Sequence, residues 1–284
     1  MDKCYVFVHF CYLDEYIRKM VIPVNIDDYL RRIGISDEIL PNLKSLRLIH
    51  RQHLQSVPFE NLDVHLYNSI NLDEESLFNK IVSRNRGGIC YELNYLLYLL
   101  LAKIGFKVIL LGGKVLEENG SYYDHLLIKT RIHSEEYLVD VGFGDNYFEP
   151  LKFICDLEQE DLKGMFKIEK VSKTSYKLCH KVEEVYQPVY TFINIEKTIE
   201  DFDERIAYFT QSPDSLFRKN LFCSIEKTSG RTSLKQDKII ITNNNSKKEY
   251  KVVSVKNYYE HLRSKFKLHL TPKELDSIDK LFFN

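Results

Sequence analysis

The 284-residue sequence has no tryptophan, no closely spaced cysteine pair and no excess of charge of either sign. Its six cysteines are scattered, without a CxxC motif or zinc spacing, so neither a disulfide framework nor a metal site is expected. This cysteine usage predicts reduced thiols and a cytoplasmic protein. The formal net charge of −1 argues against nucleic acid or an anionic membrane as a partner.

Long apolar runs are also missing. No stretch reaches the roughly eighteen residues of a membrane span. The short apolar patch at residues 5–13 lacks the basic start and the cleavage site of a signal peptide. The phosphate-loop patterns GxGxxG and GxxxxGKS/T are absent too. What the chain does have is 44% hydrophobic residues, enough for a core shared by two or three domains.

The apolar spacing changes along the chain. From residue 26 to residue 104 it is helical, and residues 90–103 are apolar on nearly every face, which predicts a buried helix that ends at Gly105. Beyond Gly105 a period of two predicts strands separated by polar turns, and the last helix begins with a capping box at Thr271. The predicted fold class is α+β, with a helical front, an antiparallel sheet or barrel, and a mixed tail.

The stretch RNRGGICYELN, residues 84–94, contains a cysteine just after two glycines. Gly87 and Gly88 permit a tight turn, which predicts that Cys90 lies at the start of the buried helix. Free N–H groups and the helix dipole at that position favour a thiolate and can bind an oxyanion. The alternative is that Cys90 is a small buried residue that only packs.

Two later strands, at residues 121–130 and 136–145, contain a histidine and an aspartate. A two-residue loop at Ile132 and His133 would place His125 directly opposite Asp140, and a loop shifted by one residue would make them diagonal neighbours on the same face. Either register lets the side chains meet, because cross-strand Cβ atoms are about 5–8 Å apart. A carboxylate in that position would orient the imidazole as a base.

Each of these residues also has an ordinary structural interpretation. His125 could be a core histidine bonded to a carbonyl, and Asp140 could cap a turn. Together with Cys90, the chain order of cysteine, histidine and aspartate predicts nucleophilic acyl transfer.

Other polar residues are expected to be structural. His50 and His53 are predicted to be solvated or helix-face residues, and Asp214 and Ser215 are predicted to form a turn after Pro213.

The segments RGGICYELN, GFKVILLGGKV, DHLLIKT and YLVDVGFGD follow one another in an order that resembles the arylamine N-acetyltransferase family. HRQHLQSVPFENLD upstream and KTIEDFDERIAYFTQSPDSLFRKNLFCS downstream are similar to the same family. No long insertion follows the hairpin, which indicates a bacterial-type member. The resemblance begins at about Ile26.

The resemblance implies a helical bundle, a β-barrel and an α/β lid, with a triad where the first two meet, as in cysteine proteases. The expected divisions are an N-terminal extension at 1–22, a helical bundle with Cys90 at 23–110, a barrel with His125 and Asp140 at 111–210, and a lid at 211–284.

The implied activity is transfer of acetyl from acetyl-CoA to an arylamine, hydrazine or arylhydroxylamine by a ping-pong mechanism, as in xenobiotic metabolism, with no metal. Cys90 would be the acetylated nucleophile, His125 its base and Asp140 the orienting acid. The backbone N–H groups of Cys90 and Asp124 are the implied oxyanion donors. Motif matching implies an acceptor pocket of Phe59, Val115, Phe143 and Phe217. It also implies coenzyme A contacts at Gly142, Tyr208, Asp214 and Ser215.

One departure from the family pattern is Asp124, directly before the histidine, where strand alternation would point its side chain away from the triad. Two rival functions remain open at this level. A thiol hydrolase or transglutaminase-like enzyme would use the same triad, and a binding protein would retain only the scaffold.

Overall fold

The computed structural model describes residues 25–116, 120–243 and 246–283. The predicted N-terminal extension, residues 1–22, lies outside them. Within the described ranges, no helix has the length and apolar character needed to cross a membrane. The chain runs through a helical front, an eight-stranded sheet and a five-stranded sheet flanked by helices. This order confirms the predicted α+β class.

The helical front packs around one buried helix. Its elements, in chain order, are α1 (Ile26–Arg32), α2 (Leu43–Ser56), β1 (Phe59–Glu60), α3 (Leu62–Leu66), α4 (Glu74–Phe78), a π-helical turn (Asn79–Ser83) and α5 (Cys90–Ile104). Asp73 caps α4 and accepts a hydrogen bond from the Ser76 N–H at 2.8 Å. Helix α5 is buried on most faces and ends at Gly105, whose φ of 103° is left-handed. Both predictions are confirmed.

The middle of the chain forms an antiparallel, nearly closed barrel. Its strands are β2 (Lys107–Val115), β3 (His125–Ile132), β4 (Glu135–Val139), β5 (Leu151–Lys152), β6 (Gln159–Asp161), β7 (Gly164–Lys170), β8 (Ser175–Val182) and β9 (Val185–Lys197), in the spatial order β5-β4-β3-β2-β9-β8-β7-β6. The Gln159 side chain bonds both the N–H and the carbonyl of Lys152, which brings the two edges together. Strand β9 is the longest of these strands.

The C-terminal part is a lid of strands and helices. A 3₁₀ turn (Ile199–Phe202) leads into α6 (Asp203–Gln211), α7 (Leu216–Lys219), β10 (Phe222–Lys227), β11 (Gly230–Lys235), β12 (Lys238–Asn243), β13 (Ser246–Lys251), α8 (Val255–Phe266) and α9 (Pro272–Phe282). The capping box predicted at Thr271 is present. Strand β1 of the helical front pairs with β10, Phe59 opposite Ser224, so the sheet of the lid contains a strand from the helical front.

A network of buried charges holds the turn before α5. Arg86 bonds Glu60 at 2.8 Å and Asp63 at 2.7 Å, and Lys80 bridges Asp63 and Glu92, each at 2.7 Å. Burial alone would lower the pKa of Lys80, but the charges of Glu92, Glu60 and Asp63 keep its pKa raised. Each of the two cations is therefore shared by two carboxylates, which ties β1, α3 and α5 together.

Gly87 and Gly88 lie where the backbone passes too close to neighbouring residues for a side chain to fit. A Cβ added to Gly87 would lie 1.9 Å from the Pro58 carbonyl oxygen, and one added to Gly88 would lie 2.7 Å from Glu92 Oε2. Neither glycine has a positive φ. A close approach, rather than a left-handed turn, therefore excludes any side chain here.

The network gives a stability prediction. We expect Arg86→Met to lower the free energy of unfolding by about 3–5 kcal/mol, because two buried carboxylates lose their partner. Arg84→Met, two residues away and half exposed, is the matched control and should cost less than about 1 kcal/mol. Urea denaturation of both variants measures the difference. Equal losses of unfolding free energy in the two variants would show that the buried Arg86 contacts contribute no more than the exposed contact of Arg84.

Candidate active site

Cys90 is the first residue of α5, as predicted. The Glu92 carboxylate accepts the Ile89 N–H at 3.0 Å and fixes the first turn. Only 4% of Cys90 is exposed, and Gly142 lies so close that an added Cβ would be 2.7 Å from Cys90 Cα. The nucleophile candidate therefore lies at a helix N-terminus that packs directly against the barrel.

His125 and Asp140 meet across the β3–β4 hairpin. Ile132 pairs with Glu135, so the loop is His133 and Ser134, and the alternative loop at Ile132 and His133 is wrong. In this register the histidine and the aspartate are diagonal neighbours. His125 Nε2 lies 2.8 Å from Asp140 Oδ2, and both side chains are buried. The predicted contact between them is confirmed.

The electrostatics favour a protonated imidazole. Burial opposes the charge, but the Asp140 carboxylate and its hydrogen bond, together with a hydrogen bond and charge from Cys90, raise the pKa of His125 to about 10. Burial also opposes ionisation of Asp140, yet the His125 charge and several hydrogen bonds lower its pKa. Because Nε2 is bonded to Asp140, Nδ1 is the ring nitrogen that can exchange a proton with Cys90.

Asp140 is held by donors from three parts of the fold, which the sequence analysis did not identify. Its carboxylate accepts from Asn94 Nδ2 of α5 at 2.9 Å, the Gly142 N–H at 3.0 Å, Asn146 Nδ2 at 3.1 Å and the Tyr190 hydroxyl of β9 at 3.2 Å. Asn94 also accepts the Val141 N–H and donates to the Leu126 carbonyl. The helix that bears the cysteine therefore also positions the aspartate.

His50 contacts the backbone of Asp140, a role that its sequence context does not indicate. His50 and His53 lie on α2, as the helix-face prediction requires, but both are fully buried, so the alternative of solvated side chains is wrong. His50 Nε2 accepts the backbone N–H of Asp140 at 3.3 Å, and Nδ1 donates to the Phe148 carbonyl at 3.0 Å. Burial lowers the pKa of His50, so the ring is neutral with its proton on Nδ1.

A cavity of about 440 Å³ opens over Cys90 and His125. All four predicted acceptor residues line it: Phe59, Val115, Phe143 and Phe217. Lid residues complete the wall, among them Phe209, Leu216 and Phe222. The Phe143 ring packs edge-on against the His125 ring, with centroids 5.1 Å apart. The cavity is therefore largely aromatic where it meets the triad.

The predicted coenzyme residues are not all at this cavity. Gly142 lines it, whereas Tyr208, Asp214 and Ser215 are not part of its wall. Tyr208 stacks on Arg205, and Asp214 is exposed. Ser215 is buried and caps α7, accepting the Phe217 N–H and donating to the Phe209 carbonyl. Its hydroxyl therefore has a structural role.

Asp124 lies in the turn before β3, so the alternation argument does not apply to it. Asp124 lines the cavity, and its carboxylate pairs with Arg205 of α6 at 2.5 Å. Its backbone N–H donates to the Ser121 carbonyl at 3.0 Å, so this implied oxyanion donor is already engaged. The N–H of Cys90 is the remaining implied donor.

The raised pKa of His125 leads to a titration prediction. Because the folded-state pKa exceeds its ordinary value of 6.5, the protonated ring stabilises the fold fully below about pH 6.5, and this contribution is lost as the pH rises through about 10. We expect Asp140→Asn to lower the His125 pKa, as measured by NMR of the ring nitrogens. Asp145→Asn, the exposed carboxylate in the next loop, is the control and should leave it unchanged. An unaltered titration in Asp140→Asn would contradict the pairing.

Comparisons with known proteins show the family to which the chain belongs. A family model described as N-acetyltransferase matches residues 42–275. The chicken arylamine N-acetyltransferase, pineal gland isozyme NAT-3, is 33% identical over 278 residues, covering 88% of this chain and 96% of that protein. The arylamine N-acetyltransferase structure from Salmonella typhimurium has a TM-score of 0.84 at 26% identity, covering 90% of this chain and 98% of that one.

The Mycobacterium marinum enzyme, solved in complex with CoA, has a TM-score of 0.84 at 24% identity, covers 91% of this chain and all of that one, and shares the fold. Most of the chain matches the family model, and relatives above 30% identity span nearly its full length. The chain therefore belongs to the arylamine N-acetyltransferase family and is an acetyltransferase.

Proposed function

We propose that this enzyme transfers acetyl from acetyl-CoA to an arylamine, a hydrazine or an arylhydroxylamine through an acetyl-Cys90 intermediate. The observation that carries the proposal is the joint exposure of Cys90 and His125 to one cavity, with Asp140 bonded behind the histidine. The CoA complex of the Mycobacterium marinum neighbour supports acetyl-CoA as the donor. The aromatic wall suits a flat acceptor ring.

The first half-reaction forms the intermediate. The thiol proton is held on His125 Nδ1, in keeping with the raised pKa of that ring, and the Cys90 sulfur attacks the thioester carbonyl of acetyl-CoA. The carbonyl oxygen gains negative charge next to the N-terminus of α5, where the Cys90 N–H and the helix dipole stabilise it. The bond from carbon to the CoA sulfur then breaks, and the proton from His125 passes to the departing thiolate.

The second half-reaction regenerates the thiol. An acceptor amine attacks the acetyl carbon of acetyl-Cys90 and loses a proton to His125. The bond to the Cys90 sulfur breaks, and His125 returns the proton to it. Asp140 keeps the imidazole oriented with Nδ1 towards the sulfur in both halves. Coenzyme A therefore leaves before the acceptor amine reacts, which is the order of a ping-pong mechanism.

The rival thiol hydrolase would need water as the acceptor. Both Cys90 and His125 are buried, and the surrounding cavity wall is mostly apolar and aromatic. Such a wall favours an aromatic amine over water at the acetylated sulfur. A cytoplasmic location, where acetyl-CoA is available and thiols are reduced, is part of the same proposal. Tyr208 and Asp214 stay predictions as coenzyme contacts.

The test is an assay with acetyl-CoA and a panel of arylamines and hydrazines that follows release of the CoA thiol. We expect turnover in the native enzyme and a loss of at least about a thousandfold in Cys90→Ala. Cys155→Ala, a change at an exposed free cysteine away from the cavity, is the matched control and should retain activity. Mass spectrometry after exposure to acetyl-CoA alone should locate one acetyl group on Cys90.

Three results would overturn the proposal. Full activity in Cys90→Ala would remove the cysteine from the mechanism. Peptide or ester hydrolysis without an acetyl adduct would favour the hydrolase. Alkylation of Cys90 by iodoacetamide no faster than an ordinary thiol, with no turnover of any acceptor, would indicate a non-catalytic binding protein.

A further inference from the structure

One wall of the cavity is basic rather than aromatic. Arg231, Ser233 and Lys235 alternate along β11, so they share a face of the sheet, and all three line the cavity. Ser224 of β10 lies directly opposite Ser233 and lines it as well. The lid therefore presents two cations and two hydroxyl groups to a space that is otherwise largely aromatic.

Contacts with two residues fix the position of the Arg231 guanidinium. Its guanidinium donates to Ser224 Oγ at 2.9 Å and pairs with Asp145 Oδ2 at 2.9 Å. It lies next to Gly144, where an added Cβ would be 3.5 Å from the guanidinium. Gly144 has a φ of 89°, a conformation that side chains disfavour, so the space beside Arg231 stays open.

The two acidic neighbours of Arg231 are not equivalent. Glu226 is buried, and Lys163 of the barrel pairs with it at 2.5 Å, whereas Arg231 Nε is 3.6 Å away. Asp145, by contrast, has 65% of its side chain exposed, against 21% for Arg231. Glu226 is thus neutralised mainly by lysine, and the main partner of Arg231 is a carboxylate that water can readily solvate.

This asymmetry makes Arg231 available to a ligand. A pair with one largely exposed partner contributes little free energy, and Asp145 also pairs with Lys163 Nζ at 3.3 Å, so it can give up Arg231 and keep the lysine at small cost. A ligand carboxylate could then accept two parallel hydrogen bonds from the planar guanidinium inside the cavity. The Ser224 hydroxyl, already bonded to Arg231, keeps the guanidinium in place.

We propose that Arg231 is a specificity-determining residue that selects acceptor amines whose aromatic ring has an acidic substituent, a carboxylate or a sulfonate. The aromatic wall holds the ring, the amine faces Cys90, and the anionic group pairs with Arg231. This inference rests on the proposed function, because it assigns a substrate class to the same cavity.

The same cation could instead bind a phosphate of coenzyme A. The two sources of negative charge differ in which kinetic constant depends on Arg231. An acceptor anion makes the acceptor kcat/KM depend on Arg231, whereas a coenzyme phosphate makes the acetyl-CoA KM depend on it. p-Nitrophenyl acetate, an acetyl donor without phosphate, separates the two contributions.

The experiment compares 4-aminobenzoate with the uncharged 4-aminobenzamide, with p-nitrophenyl acetate as donor. We expect the benzoate-to-benzamide ratio of kcat/KM to fall about tenfold in Arg231→Met, because one charge-assisted contact is lost. Arg231→Lys should restore part of the ratio. Asp145→Asn should change it in the opposite direction and raise it, because Arg231 loses its competing carboxylate. Lys227→Met, an exposed lysine on the same lid sheet that does not line the cavity, is the charge-matched control.

The benzamide rate shows that each variant is folded and that the acetyltransferase proposal holds. An unchanged ratio in both Arg231→Met and Asp145→Asn, with benzamide still acetylated, overturns the specificity proposal alone. A rise in the acetyl-CoA KM without any change in the ratio assigns Arg231 to the coenzyme and also overturns it. Acetylation of neither amine by the native enzyme counts against the proposed function instead.

Discussion

The arrangement of the elements around the candidate site depends on the free-energy cost of burying the Asp140 carboxylate. An isolated charge in the interior is strongly unfavourable, so this group requires several hydrogen-bond donors and an opposite charge. The donors come from α5 through Asn94, from the barrel through His125 and Tyr190, and from the following loop through Asn146. Helix α5, the barrel and the following loop therefore meet at Asp140 because one carboxylate must be satisfied from several elements at once.

The first turn of α5 joins this centre to the second buried network. Glu92 faces Lys80 and fixes the backbone before the helix, while Asn94, two residues later, bonds the triad aspartate. Cys90 is the first residue of the same turn. A shift of this turn would break polar contacts on both sides and leave buried groups unpaired. Such constraints on both sides give the start of α5, and with it Cys90, a fixed position.

Local patterns predicted much of this site, and long-range contacts account for what they missed. The double glycine and the apolar run located Cys90 at a helix start, and strand alternation brought His125 to Asp140. The burial of His50 depends on Phe148 and on the Asp140 backbone, 98 and 90 residues away, which no local spacing reveals. Strand β1 has only two residues and pairs with β10 far along the chain, so it has no detectable period of its own.

The two interpretations of Cys90 turn out to be compatible. It belongs to the same hydrophobic cluster as its helix neighbours, yet it also forms part of the cavity floor. Packing restricts the sulfur to a single position, and attack on a bound acyl group benefits from that restriction because less freedom is lost in reaching the reactive geometry. The wall around the sulfur and the imidazole is mostly apolar, so little water competes with an acyl group bound there. The apolar surroundings that first suggested a packing residue therefore also support its role as a nucleophile.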